Sequence, residues 1–163
     1  MRRLSKTLLF FAGGFFLFTA GAMAAQQTRH GLFPEEIISM KDLRKMQTYR
    51  KSFLLLDARG KSTYSEAHIA GAKLPLSPEY YRQEELFRTG ILQKAPDRDR
   101  DLAASMNPVP KNKPIVTYCN DDCQASSVLL LQLKHMGFTD VRAMDDGFQS
   151  WQKKGYPVEA SAG

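Results

Sequence analysis

The chain has 163 residues, 43% of them apolar and 10% aromatic, with 23 Lys and Arg against 17 Asp and Glu. That composition excludes a collagenous, low-complexity or wholly disordered chain, and the length suffices for one domain with its own hydrophobic core. Two cysteines, Cys119 and Cys123, are too few for a disulfide framework, and His30, His68 and His135 lack the spacing that would complete a metal site with them.

Arg2, Arg3 and Lys6 open the chain, an uncharged apolar run follows from Leu8 to about Phe18, and Ala22-Met23-Ala24 sets small residues where a signal peptidase reads them. The pattern predicts a secretory signal peptide over residues 1–24, cleaved after Ala24, and a periplasmic or secreted product. The competing reading is an uncleaved anchor, since the uncharged stretch from Thr7 to Gln27 is nearly long enough to span a bilayer, but Gly13, Gly14 and Gly21 interrupt it. Without residues 1–24 the chain keeps 20 basic and 17 acidic side chains, a formal charge of +3. That small excess removes any electrostatic argument for a nucleic-acid partner, and cleavage removes the membrane segment.

Residues 25–35 read as a flexible lead-in, and residues 36–159 as a single domain. From there short apolar runs alternate with amphipathic stretches, the pattern of an α/β fold with a parallel sheet. Ile37-Ile38 is a first strand. Ser39, with Asp42 three residues on, opens a helix through about Gln47 that buries Leu43 and Met46. Phe53-Leu54-Leu55-Leu56 is continuously apolar, as in a strand covered on both faces, and ends at Asp57-Ala58-Arg59-Gly60. A short helix is expected around Thr63–His68 and a third strand near Lys73–Leu76.

The segment from Ser77 to Asn112 reads as two helices and a loop. The aromatics from Tyr80 to Phe87 are expected to cover the sheet, the alternative being the mouth of a site. Pro114-Ile115-Val116-Thr117-Tyr118 is the strongest strand signal and runs straight into Cys119. Ala125–Met136 is a helix expected to bury Val128, Leu129, Leu131, Leu133 and Met136, and Gly137 ends it in the left-handed conformation. Val141–Met144 is a last strand. Phe148–Lys154 is a terminal helix with Phe148 and Trp151 in the core.

Strand, then Cys119-Asn120-Asp121-Asp122-Cys123-Gln124, then helix is the feature that points to chemistry. A loop at the carboxyl end of a parallel strand that wraps toward a helix N-terminus aims backbone N–H groups at one point. A thiol placed there is stabilised as thiolate and becomes a nucleophile near neutral pH. The competing reading of a lone cysteine in this position is a buried structural residue.

Ser39–Leu43, Leu55-Leu56-Asp57-Ala58-Arg59, Ala67-His68-Ile69-Ala70-Gly71-Ala72, Ile115–Cys119, His135–Val141 and Asp146–Val158 resemble, in order and spacing, the rhodanese-like (sulfurtransferase) domain family over about residues 36–159. The resemblance implies a five-stranded parallel sheet flanked by helices on both faces, with Cys119 as the catalytic sulfur acceptor. It also implies that Asn120, Asp121, Asp122, Cys123, Gln124 and Ala125 form the substrate-binding loop, their N–H groups cradling the sulfur. The cysteine would take sulfane sulfur from a small donor, hold it as a persulfide and pass it to a thiol, a protein thiol included, or to another small nucleophile. No cofactor or metal is implied.

The loop departs from the family's usual one. It has no Arg or Lys to hold an anionic donor, and it has Asp121 and Asp122, whose charge would disfavour thiosulfate and raise the thiol pKa if they faced the sulfur. Its length would suit a phosphatase, but that chemistry needs Cys-x5-Arg, and Ala125 stands at the arginine position. Two readings follow: a sulfurtransferase working through a Cys119 persulfide, or a weak or inactive relative acting as a binding or thiol-redox module through Cys119 and Cys123. Asp57 and Arg59 are expected to hold loops together by an ion pair, and His68 to satisfy local backbone groups.

Overall fold

A computed structural model describes residues 31–161. The signal peptide and the start of the lead-in lie outside the described residues. The strands are β1 (Ile37–Ile38), β2 (Leu54–Asp57), β3 (His68–Ile69), β4 (Ile115–Tyr118), β5 (Val141–Met144) and β6 (Val158–Glu159). The helices are α1 (Met40–Thr48), α2 (Lys61–Glu66), α3 (Pro78–Arg88), α4 (Arg98–Met106), α5 (Ala125–His135) and α6 (Phe148–Lys153). Among the described residues no helix is long and apolar enough to cross a membrane.

Four strands form one parallel sheet in the order β1-β5-β4-β2, while β3 and β6 make a separate antiparallel pair. The expected fifth strand near Lys73–Leu76 contracts to a single parallel bridge between Lys73 and Leu56. Lys73 donates its N–H to the Leu55 carbonyl and accepts from the Asp57 N–H, both at 2.9 Å. Two residues on, Pro75 has no N–H to extend that ladder.

Side chains alternate across each strand, so the sheet builds two cores. Leu56, Ile115, Val141 and Ala143 face α3, α4 and α5, where they meet Tyr80, Tyr81, Leu102, Leu129, Leu130 and Leu133. Leu55, Val116, Tyr118 and Met144 face α1 and α6, with Leu43, Phe148 and Trp151. The helix starts follow from local chemistry: the Ser39, Ser77 and Asp97 side chains accept from the N–H groups of Asp42, Tyr80 and Arg100, and Pro78 occupies the first turn of α3.

The apolar face of α5 differs from expectation. Val128 and Leu131 are 52% and 47% exposed, whereas Ser126, Ser127, Leu129, Leu130 and Leu133 are buried. Leu129 and Leu130, each about one turn from Ser126 and from Leu133, set the phase that faces the sheet, which turns Val128 and Leu131 to solvent. The lead-in is also packed at its end, because Leu32 is only 1% exposed and joins the core against α5. Glu36 accepts the Phe33 N–H at 2.8 Å and pairs with Lys134 of α5, which pins this segment over the helix.

Beneath the carboxyl ends of β2 and β4 lies a buried polar network. Arg59 binds Asp57 with two nitrogens, the shortest contact being 2.7 Å, and donates to the Ala67 carbonyl. Tyr118 donates its hydroxyl to Asp57 at 2.6 Å and accepts the Ile69 N–H. The Arg59 guanidinium also stacks 3.8 Å from the Phe148 ring centre. Asp57 and Arg59 therefore join β2, β4, α6 and the turn into β3. Arg59→Ala would leave Asp57 buried without its cation, and the expected loss is about 3–5 kcal/mol of folding free energy, read as a lower urea midpoint.

Candidate active site

β4 delivers Cys119 to the carboxyl end of the sheet, where ligands of open α/β folds bind. The Phe148 N–H donates to the Cys119 carbonyl at 2.8 Å, so the backbone leaving β4 is fixed to the start of α6. Cys119 is 2% exposed, and its sulfur sits among polar groups. It donates to the Cys123 carbonyl at 3.0 Å, lies 3.5 Å from the Asn120 carbonyl and 3.6 Å from the Ser126 hydroxyl.

The expected cradle of loop N–H groups is replaced in large part by carbonyls. The Asp121 N–H goes to the Gln149 side chain at 2.8 Å, the Cys123 N–H to the Asn120 carbonyl at 3.3 Å, and the Ala125 N–H to the Cys123 sulfur at 3.4 Å. Ser126, just inside α5, supplies the groups that favour a thiolate, its N–H and its hydroxyl. Burial outweighs them. It pushes the Cys119 thiol up to about 11, with the adjacent Cys123 side chain adding to the rise. The depressed pKa expected for this thiol is thus reversed, because water is excluded and carbonyl oxygens bind the proton.

Asp121 does not face the sulfur. Its carboxylate accepts the Ser150 N–H at 3.2 Å and the Ser150 hydroxyl at 2.8 Å, so it caps α6 from a neighbouring loop. Gly147 permits that approach: a Cβ there would lie 2.0 Å from the Asp121 nitrogen and 2.2 Å from the Asn120 carbonyl carbon. Asp122 has a left-handed backbone, φ 58°, and lines the cleft beside Cys119. Cys123 is half-buried, Gln124 is exposed and begins α5 without a side-chain cap, and Ala125 is the first residue of that helix.

Cys119, Asn120, Asp122 and Cys123 thus line one narrow cleft, together with Ser126, Ser127 and Met144. Gln124 and Ala125 do not line it. Its free space is about 10 Å³, enough for one water. Leu32 and Ile37 close it from the amino-terminal side. Sequence reasoning missed Leu32 and Ser126. Leu32 had a discernible signal, the apolar pair Leu32-Phe33 after a polar stretch, whereas Ser126 is one of two serines whose orientation depends on the phase of α5. A groove of about 630 Å³ lies at the opposite end of the sheet between α1 and the starts of the strands, lined by Tyr49, Lys51, Pro114 and Arg142. His68 contacts the Tyr64 carbonyl at 2.8 Å and stacks on the Tyr64 ring, in keeping with a local structural role.

Two outcomes follow from this geometry. Asp121→Ala removes a helix cap and is expected to cost about 1 kcal/mol of stability. Both it and Gly147→Ala, which drives the loop off α6, should speed alkylation of Cys119 as resolved by peptide mass spectrometry; equal rates in all three proteins would show that the loop is not held this way. In the wild type, Cys119 alkylation should climb about tenfold per pH unit and level only near 11. Because the folded state holds this proton more tightly than the unfolded chain, the matching stability is complete below the ordinary thiol range. It declines as pH rises toward about 11.

Comparison with known proteins agrees with this architecture. No curated protein sequence matches the chain. Among solved structures, a rhodanese-like domain from Anabaena sp. superposes with a TM-score of 0.58 at 22% identity, over 78% of this chain and 80% of that one. A protein from Bacillus halodurans gives 0.57 at 19% identity, over 77% of each chain. A thiosulfate sulfurtransferase from Pseudomonas aeruginosa gives 0.53 at 21% identity over 77% of this chain but 20% of its own length. These likenesses speak to the fold. The sequence model described as "Rhodanese-like domain" matches residues 39–154, from the cap of α1 to the end of α6, and the chain belongs to that family.

Proposed function

We propose that the chain is a sulfurtransferase that carries sulfane sulfur on Cys119. The observation that supports this best is the position of one sulfur at the end of β4, directed into a cleft with the Ser126 N–H and hydroxyl beside it. Membership of the rhodanese-like family and likeness to a structure named as a thiosulfate sulfurtransferase agree with it. In the first half-reaction Cys119 attacks the outer sulfur of a donor persulfide. A bond forms between Cys119 Sγ and that sulfur, the donor's S–S bond breaks, and the Cys119 proton leaves with the donor thiolate. In the second, an acceptor thiolate attacks the outer sulfur and Cys119 is regenerated.

The geometry favours a compact donor without strong negative charge. The loop has no cation, Arg59 is committed to Asp57 and to the Phe148 ring, and the cleft holds about one water. An organic persulfide fits these limits better than thiosulfate does. The signal pattern of residues 1–24 supports a periplasmic or secreted setting for the reaction.

Exposure to a low-molecular-weight persulfide should add one sulfur to the Cys119 peptide, detected by mass spectrometry, and thiosulfate should load it at least about tenfold more slowly. Cys119→Ala should abolish loading. A wild type that takes up no sulfur from either donor would leave the chain a binding or redox member of its family.

A further inference from the structure

We propose that Cys123 is a resolving thiol for Cys119: once Cys119 carries sulfane sulfur, Cys123 attacks Cys119 Sγ, closes a Cys119–Cys123 disulfide and expels hydrosulfide. This rests on the sulfur-transfer reading above and assigns that site a second outcome, in which the sulfur is released rather than passed on. Three features carry it. The loop is curled, with the Cys123 N–H on the Asn120 carbonyl at 3.3 Å and a left-handed turn at Asp122. That curl brings the Cys123 carbonyl 3.0 Å from Cys119 Sγ. Both thiols line the same cleft and both are free, so nothing has to be displaced for them to react.

The two sulfurs differ in a way that suits this division. Cys119 is buried, while Cys123 is half-buried and accepts the Ala125 N–H at 3.4 Å. The cleft has room for little beyond the transferred atom, so a bulky external thiol meets Cys119 poorly, whereas Cys123 is already beside it.

The step balances without an added oxidant. The bond between Cys123 Sγ and Cys119 Sγ forms, and the bond between Cys119 Sγ and the outer sulfur breaks. Cys123 gives its thiol proton to solvent as it attacks, and the outer sulfur leaves with the electron pair and the persulfide's own proton as hydrosulfide. The two protein thiols are oxidised together and the sulfane sulfur is reduced. Further turnover needs a dithiol reductant to reopen the disulfide.

The test loads the wild type and Cys123→Ser with an organic persulfide, removes excess donor, and follows hydrosulfide release without external thiol. The wild type should release one hydrosulfide per loaded chain and lose both titratable thiols. Cys123→Ser, with Cys123→Ala as a second variant and melting curves to confirm folding, should keep the added sulfur on Cys119 and release it at least about tenfold more slowly. Equal release from loaded wild type and loaded variants, or two thiols still titratable after release from the wild type, overturns the resolving role alone. Wild type and folded variants that alike take up no sulfur on Cys119 overturn the carrier reading and the resolving role with it.

Discussion

The docking of the cysteine loop onto α6 is the constraint on which the site depends. Four hydrogen bonds cross that junction, the Phe148 N–H to the Cys119 carbonyl, the Asp121 N–H to Gln149, and the Ser150 N–H and hydroxyl to the Asp121 carboxylate, and the backbones approach closely at Gly147. Three of these bonds satisfy backbone groups just past a strand end or in a helix's first turn, where the regular ladder supplies no partner. The same junction rests on Phe148, whose ring takes the Arg59 guanidinium from below, and Arg59 is fixed by Asp57. Sheet, loop and terminal helix are therefore braced through one continuous set of contacts, and the sulfur's position is a result of that bracing.

Two effects oppose each other at Cys119. The start of α5, through the Ser126 N–H and hydroxyl, favours the anion; removal from water and the adjacent Cys123 side chain favour the thiol. The second set wins. A resting thiol protected in this way resists stray alkylation and oxidation, because reactivity follows thiolate population and access.

What could be read from the sequence was what is decided within a few residues. Ser39 caps α1 because its partner N–H is three residues away, and Gly137 adopts φ 88° because the helix ends there. The runs into β2, β4 and β5 are legible because strands covered on both faces must be apolar throughout. The phase of α5 was not legible, since Val128-Leu129-Leu130-Leu131 is apolar around the helix and only the sheet decides which side is buried. The strand near Lys73 was overextended because its limit is set by pairing with Leu56 and by Pro75. At the site, Cys119 was found by its place between strand and helix. The orientation of Asp121 was not, because its partners Gln149 and Ser150 lie nearly thirty residues on and nothing local predicts them.

Asp121 also shows why charge counted along a loop is a poor guide to the field at a sulfur. A carboxylate two residues from a thiol suggests repulsion of an anionic donor, but this one is turned to the N–H and hydroxyl of Ser150 and compensated there. The loop's weakness toward anions comes instead from a missing cation and from carbonyl oxygens pointed at Cys119. In the proposed sulfur transfer, backbone orientation, set by the left-handed turn at Asp122 and by Gly147, would do more to choose the donor than the side-chain charges would. It follows that converting this loop to one that binds thiosulfate requires turning its amides toward the sulfur, and neutralising the two aspartates would leave those amides where they are.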